Sequence, residues 1–202
     1  DQGAIDAVDL ESHVSFLASP HMGGRANGTS ELEIALNYLV SQAIQTGLKP
    51  AGDSGYFQSY KVIKLKNAVQ WPYYTLKQGK TNIDEKDGEV IELRNVAAWI
   101  EGSDPNLKSE CVVFSCHADH IGSINGEIYP GADDNASGCA ALLEIAEAFQ
   151  CSFEKPLRSI VFLWLTGEEI GLLGSKAYVN NPFFDLKKTV ADLNIDMIGR
   201  VK

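Results

Sequence analysis

Near the start of the chain, Leu10, Val14 and Leu17 recur at helical spacing, which predicts a helix over residues 6–18. Residues 21–29 (HMGGRANGT) then break the pattern and read as a loop. Ser30 and Glu33 have the spacing of a capping box, and Leu32, Leu36, Leu39 and Ala43 form the apolar stripe of a second helix. Gly47 and Pro50 end it. The period then changes. Residues 57–65 alternate as a strand, 71–76 form a weaker strand, and 81–88 a polar turn. Residues 89–100 form a long strand, followed by a turn at 102–106. The second half alternates apolar strands (111–116, 159–165, 189–197) with helices (139–149, 171–180). Strands apolar on both faces and separated by helices belong in a sheet covered on both sides. The expectation is one α/β domain over residues 1–202: a three-layer sandwich around a central mixed, mostly parallel sheet, with an antiparallel edge from the middle segment.

Charge narrows the function classes. Among 202 residues, 17 Lys and Arg stand against 27 Asp and Glu, a net −10. Nucleic acids and anionic membrane surfaces call for a basic footprint, so neither is an expected partner. The apolar run at 160–165 is too short to span a bilayer. The chain opens at Asp1 without Met, as a processed product does. Its four cysteines form no CxxC pair. Cys111 and Cys116 should lie on opposite faces of one strand, and all four are expected to be free thiols.

The acids and imidazoles gather at strand ends. His117, Asp119 and His120 follow the first apolar strand, Glu168 and Glu169 the second, and Asp196 ends the third. Asp133 and Asp134 lie in a Gly-rich loop entering the buried helix. Open α/β sheets bind ligands beyond the carboxyl ends of their strands. Five carboxylates on one rim (Asp119, Asp134, Glu168, Glu169, Asp196) repel one another unless protonated or neutralised by cations. His117 among them favours zinc, manganese or cobalt over calcium, and the number of acids suits a paired-metal hydrolase.

HADH at 117–120, PGADDNASG at 130–138, TGEEIGLLGS at 166–175 and NIDMIG at 194–199 resemble the M28 family of zinc exopeptidases. MGGRANGT and GLKPAG in the first half are similar to that family's lead-in. The resemblance implies the zinc exopeptidase fold and two zinc ions in a complete site. His117 and Asp196 would bind one, Asp134 would bridge both, and Glu169 would bind the other. Glu168 would be the general base and Asp119 would take the other ring proton of His117. It also implies a cis peptide after Asp134, a peptide substrate and a secreted or periplasmic location. His120 reads as a local hydrogen-bonding residue and Arg25 as fixing its own loop. Asp133 is a weaker candidate bridge, and His13 and His21 carry no role.

One departure stands out. The family's second metal takes a histidine well downstream of the Asp196 position, and this chain stops at Lys202. That makes it a fragment of a longer enzyme, the preferred reading, or a protein that has lost part of the site. In either case the chain is expected to hold one zinc or none and to be inactive alone. The leading function is an aminopeptidase. A glutaminyl cyclase-like acyl transferase, a carboxypeptidase and a non-catalytic binding module on the same fold are the alternatives.

Overall fold

The computed structural model describes residues 5–66, 74–77 and 88–200. Helix α1 (Ala7–Leu17) is capped by Asp6, whose side chain accepts from the Val8 amide. Helix α2 (Ser30–Gln45) follows. Its cap is Thr29, one residue earlier than the capping-box spacing predicts. Thr29 Oγ1 accepts from the Leu32 amide, while Glu33 pairs with Arg94 instead of closing a box. A short β1 (Lys49–Pro50) leads to β2 (Phe57–Leu65), β3 (Tyr74–Leu76) and β4 (Gly88–Ile100). The start of the predicted 71–76 strand and the polar turn up to residue 87 fall outside the described residues. Next come β5 (Cys111–His117), a small hairpin of β6 (Ser123–Ile124) and β7 (Glu127–Ile128), and helix α3 (Gly138–Cys151). Strand β8 (Ser159–Leu165), helix α4 (Leu173–Asn180) and strand β9 (Thr189–Asn194) complete the order.

The main sheet runs β3-β2-β4-β8-β5-β9, with β1 also paired to β4. It is mixed, as expected, but its parallel part is confined to β8, β5 and β9. The middle segment supplies more than an edge: β4 enters antiparallel beside β8 and brings β2 and β3 with it. The sequence shows apolar strands but not their direction, which explains the difference.

Helices cover both faces. Ile160, Phe162 and Trp164 of β8 pack with Leu17, Leu36, Leu39, Leu142 and Leu143 of α1, α2 and α3. Val161, Leu163 and Leu165 face the other way, with Ala97 and Tyr178. Leu173 and Ala177 of α4 cover Tyr60, Val62 and Leu93. The unbroken apolar run of β8 thus serves two cores through simple alternation. Cys111 and Cys116 fall in opposite cores, and all four cysteines are free. Among the described residues β9 ends the sheet opposite β3, with Val190 and Leu193 exposed.

Candidate metal centre

Register brings the chemistry together. His117 lies beside Leu165, and Ser115 beside Asn194, so β5, β8 and β9 end on one rim. Their exit loops carry Asp119 and His120, Glu168 and Glu169, and Asp196. Asp134 arrives from the turn ahead of α3. Gly131 opens that turn at φ 62°, and a Cβ there would lie 2.4 Å from the Asp134 carbonyl oxygen and 2.7 Å from Arg25 Nη2. Glycine is therefore required for the approach. The Asp134–Asn135 peptide is cis.

His117 is buried, and its Nδ1 lies 3.0 Å from the carbonyl oxygen of Asp119. A carbonyl only accepts, so Nδ1 carries the proton and Nε2 faces the rim. Nε2 is 3.2 Å from Asp134 Oδ1 and 3.4 Å from Asp196 Oδ1. A lone pair facing two carboxylates calls for a proton or a cation between them. Burial opposes charge on this ring, but the surrounding acids, Asp119 foremost, carry its pKa up to about 10. These spacings match the edge of a tetrahedron with metal–ligand bonds of ~2.0–2.1 Å, which is about 3.3–3.4 Å. The donor set fits a zinc-class ion.

A second group shares Asp134. His120 Nδ1 lies 2.8 Å from Glu169 Oε1 and 3.8 Å from Asp134 Oδ1. His117, Asp134 and Asp196, and His120, Asp134 and Glu169, are thus two triads whose donor atoms converge within 4.8 Å in each. His120 has the local hydrogen-bonding role expected of it, and its bond to Glu169 puts that role at the centre itself. Asp133 points elsewhere, toward the Gly199 amide and Arg200.

Glu168 belongs to neither triad. It lines a cleft of about 220 Å³ with His117, Leu165, Leu172 and Asp196. Desolvation, then the charges of Glu169, Asp119 and Asp196, raise its pKa against the lowering effect of His117. A wider depression of about 580 Å³ is lined by Val14, Tyr129, Asp134, Met197 and Arg200.

Asp119 sits differently from the sequence expectation. It is fully buried, but its Oδ1 is 3.7 Å from His117 Nδ1, too long for a hydrogen bond. Its carboxylate accepts instead from the amides of Glu168 and Glu169, each at 3.2 Å, and from Asn27 Nδ2 at 2.6 Å. The carbonyl of Asp119 takes the ring proton. Spacing placed Asp119 and His117 on one side of the chain but could not tell main chain from side chain as the acceptor. The sequence reading also missed Asn135. This buried side chain donates to the Ile195 carbonyl and accepts from the Gly138 amide, tying the Asp134 turn to the β9 exit. Its position directly after Asp134 was the available signal.

The model of peptidase family M28 matches residues 95–202, which include both triads. The chain belongs to peptidase family M28. A probable leucine aminopeptidase from Arthroderma otae is 28% identical over 98% of this chain and 57% of its own length. The leupeptin-inactivating enzyme 1 of Streptomyces exfoliatus is 40% identical over 52% of this chain and 22% of its own. The chain spans little more than half the length of the leucine aminopeptidase it matches end to end. Among solved structures, Porphyromonas gingivalis glutaminyl cyclase superposes with a TM-score of 0.69 at 21% identity, covering 97% of this chain and 62% of that one. An aminopeptidase from an Aneurinibacillus species gives 0.66 at 16% identity, covering 95% and 70%. These likenesses show that the α/β fold is shared between M28 peptidases and glutaminyl cyclases. No helix among the described residues is long and apolar enough to cross a membrane.

Proposed function

We propose that this chain carries the catalytic domain of a zinc-dependent aminopeptidase acting through a two-metal centre. The observation that carries the reading is Asp134, shared by two His-and-carboxylate triads, with Glu168 beside them and in neither. His117, Asp134 and Asp196 would hold one ion. Asp134 and Glu169 would hold the other, with His120 within reach. When bound, the pair supplies Lewis acidity and lowers the pKa of a shared water. The chain's own residues do the rest. His117 is held with Nε2 toward the rim by the Asp119 carbonyl. Glu168, half-buried and with a raised pKa, is suited to take a proton from the attacking water and return it to the departing amine. The acidic rim suits a substrate that presents a free, positively charged α-amine.

The test is an assay of the full-length protein on leucyl-nitroanilide beside peptides that begin with Gln. Release of nitroaniline, abolished by chelation and restored by Zn2+, is expected. Ring closure of the Gln peptides without hydrolysis would make it a cyclase on the same fold, and neither reaction would make it a binding module.

A further inference from the structure

The loop of residues 22–29 lies outside the matched family segment and contributes no member of either triad. Two of its side chains nevertheless turn inward. Arg25 is 1% exposed, and its guanidinium reaches four carbonyl oxygens on three separate stretches of chain. Nε donates to Ala118 at 2.8 Å, Nη1 to Leu17 at 2.5 Å and to Pro130 at 2.8 Å, and Nη2 to Gly131 at 2.9 Å. In return the Arg25 carbonyl accepts from the His120 amide at 3.1 Å. One planar fork thus joins the end of α1, the β5 exit with His117 to His120, and the turn that delivers Asp134. Asn27 does the same for the β8 exit. Its Nδ2 donates to Asp119 Oδ2 at 2.6 Å and its Oδ1 accepts from the Gly167 amide at 2.9 Å. Gly24 lets the loop lie this close: at φ 76°, a Cβ would be 2.5 Å from the carbonyl oxygens of Gly122 and Tyr129.

These contacts go beyond fixing the loop itself. A buried guanidinium spread over four acceptors has little freedom to shift, and three of the four lie on stretches that carry candidate ligands: Ala118 directly after His117, and Pro130 and Gly131 in the turn ahead of Asp134. Lysine cannot imitate it, because one ammonium offers three donors from a single point. We infer that Arg25 and Asn27 are positioning residues of the metal centre: Arg25 sets the Asp134 turn against the His117 loop, and Asn27 sets the Glu168–Glu169 turn against Asp119. The inference rests on the metallopeptidase reading above.

The test uses full-length protein, with Arg25→Lys, Arg25→Gln and Asn27→Ala. Each variant is checked for folding by circular dichroism, then titrated with Zn2+ against a chromophoric chelator and with Co2+ by visible absorption. Loss of partners that orient metal ligands typically costs ~10–100-fold in metal affinity or activity. The Arg25 variants are expected to lose affinity in that range and to change the Co2+ spectrum. Asn27→Ala is expected to lower kcat in that range with KM little changed. Folded variants with lower Tm but wild-type affinity, spectrum and kcat would reduce both residues to structural roles and overturn the inference. If the Arg25 variants do not fold, Asn27→Ala alone decides, since unchanged kcat in it overturns the clamp at the catalytic turn. Wild-type protein that binds no cation tightly would instead sink the metallopeptidase reading itself.

Discussion

The two halves of the sheet share the core beneath α1, α2 and α3 but end in different chemistry. The parallel half, β8, β5 and β9, sends three strand ends to one rim, and each exit loop bears acids or imidazoles. The antiparallel half, β2, β3 and β4, brings no candidate ligand to that rim. Its polar interior faces sideways instead: Asn95 donates to Gln58 and the Gly174 carbonyl and accepts from the Thr166 amide, while the Tyr60 hydroxyl donates to the Thr166 carbonyl. These bonds hold the main chain just before Gly167 and Glu168. One half carries the candidate ligands, and the other is hydrogen-bonded to the main chain ahead of the Glu168–Glu169 turn. Strand direction makes the difference, because only parallel neighbours place successive carboxyl ends side by side.

Substitutions can break this division. Glu168→Gln is expected to keep bound metal and fold and to lower turnover by ~10²–10⁴-fold, the usual share of a general base. Near-normal turnover would remove Glu168 from the chemistry. Trp164→Ala strikes the core that both halves share, where Trp164 is fully buried against α3. It should cost ~3–5 kcal/mol in urea unfolding, and a loss under 1 kcal/mol would mean that the halves do not share a core. Asn95→Ala removes a contact that the antiparallel half makes with the β8 exit. It leaves the buried Thr166 amide without its partner, which should cost ~1–3 kcal/mol and lower kcat without changing metal stoichiometry. The smallest effect is expected far from the rim. Glu101, between Lys49 and Lys108, has its pKa lowered to about 2 by the bonds to those lysines. A depressed carboxyl stabilises the fold above its ordinary range, and the contribution is lost as pH falls from 4.5 toward 2. Because the group is exposed, Glu101→Gln should leave turnover unchanged, lower neutral-pH stability only slightly and flatten the acid limb of the stability curve by the same small amount.

Much of this was legible in the chain. Periodicity located the helices and most strands, and strand-end acids and imidazoles pointed to the rim, while the ligand roles of His117, Asp134, Glu169 and Asp196 came from the resemblance to family M28 and did not include His120. What periodicity does not carry is direction and acceptor identity. The antiparallel entry of β4 beside β8 leaves no mark in an apolar strand. Thr29 took the cap from Ser30 because the helix starts one residue earlier than the Ser30–Glu33 spacing suggested, and Glu33 was drawn to Arg94. The main-chain carbonyl of Asp119, and not its carboxylate, meets His117, a choice that depends on backbone torsion. Arg25 was read only as fixing its own loop and Asn27 was not singled out, because their partners, main-chain carbonyls and amides and the Asp119 carboxylate, lie elsewhere in the sequence, which no residue pattern reveals.

The two-metal reading requires Asp134 to be common to two cation sites. Isothermal titration of metal-free full-length protein with Zn2+ tests it most directly, comparing wild type with Asp134→Asn and Asp196→Asn. Two tight equivalents are expected for wild type, one for Asp196→Asn and none for Asp134→Asn. Two tight equivalents in Asp134→Asn, or a single site in wild type that Asp134→Asn leaves intact, would contradict the account.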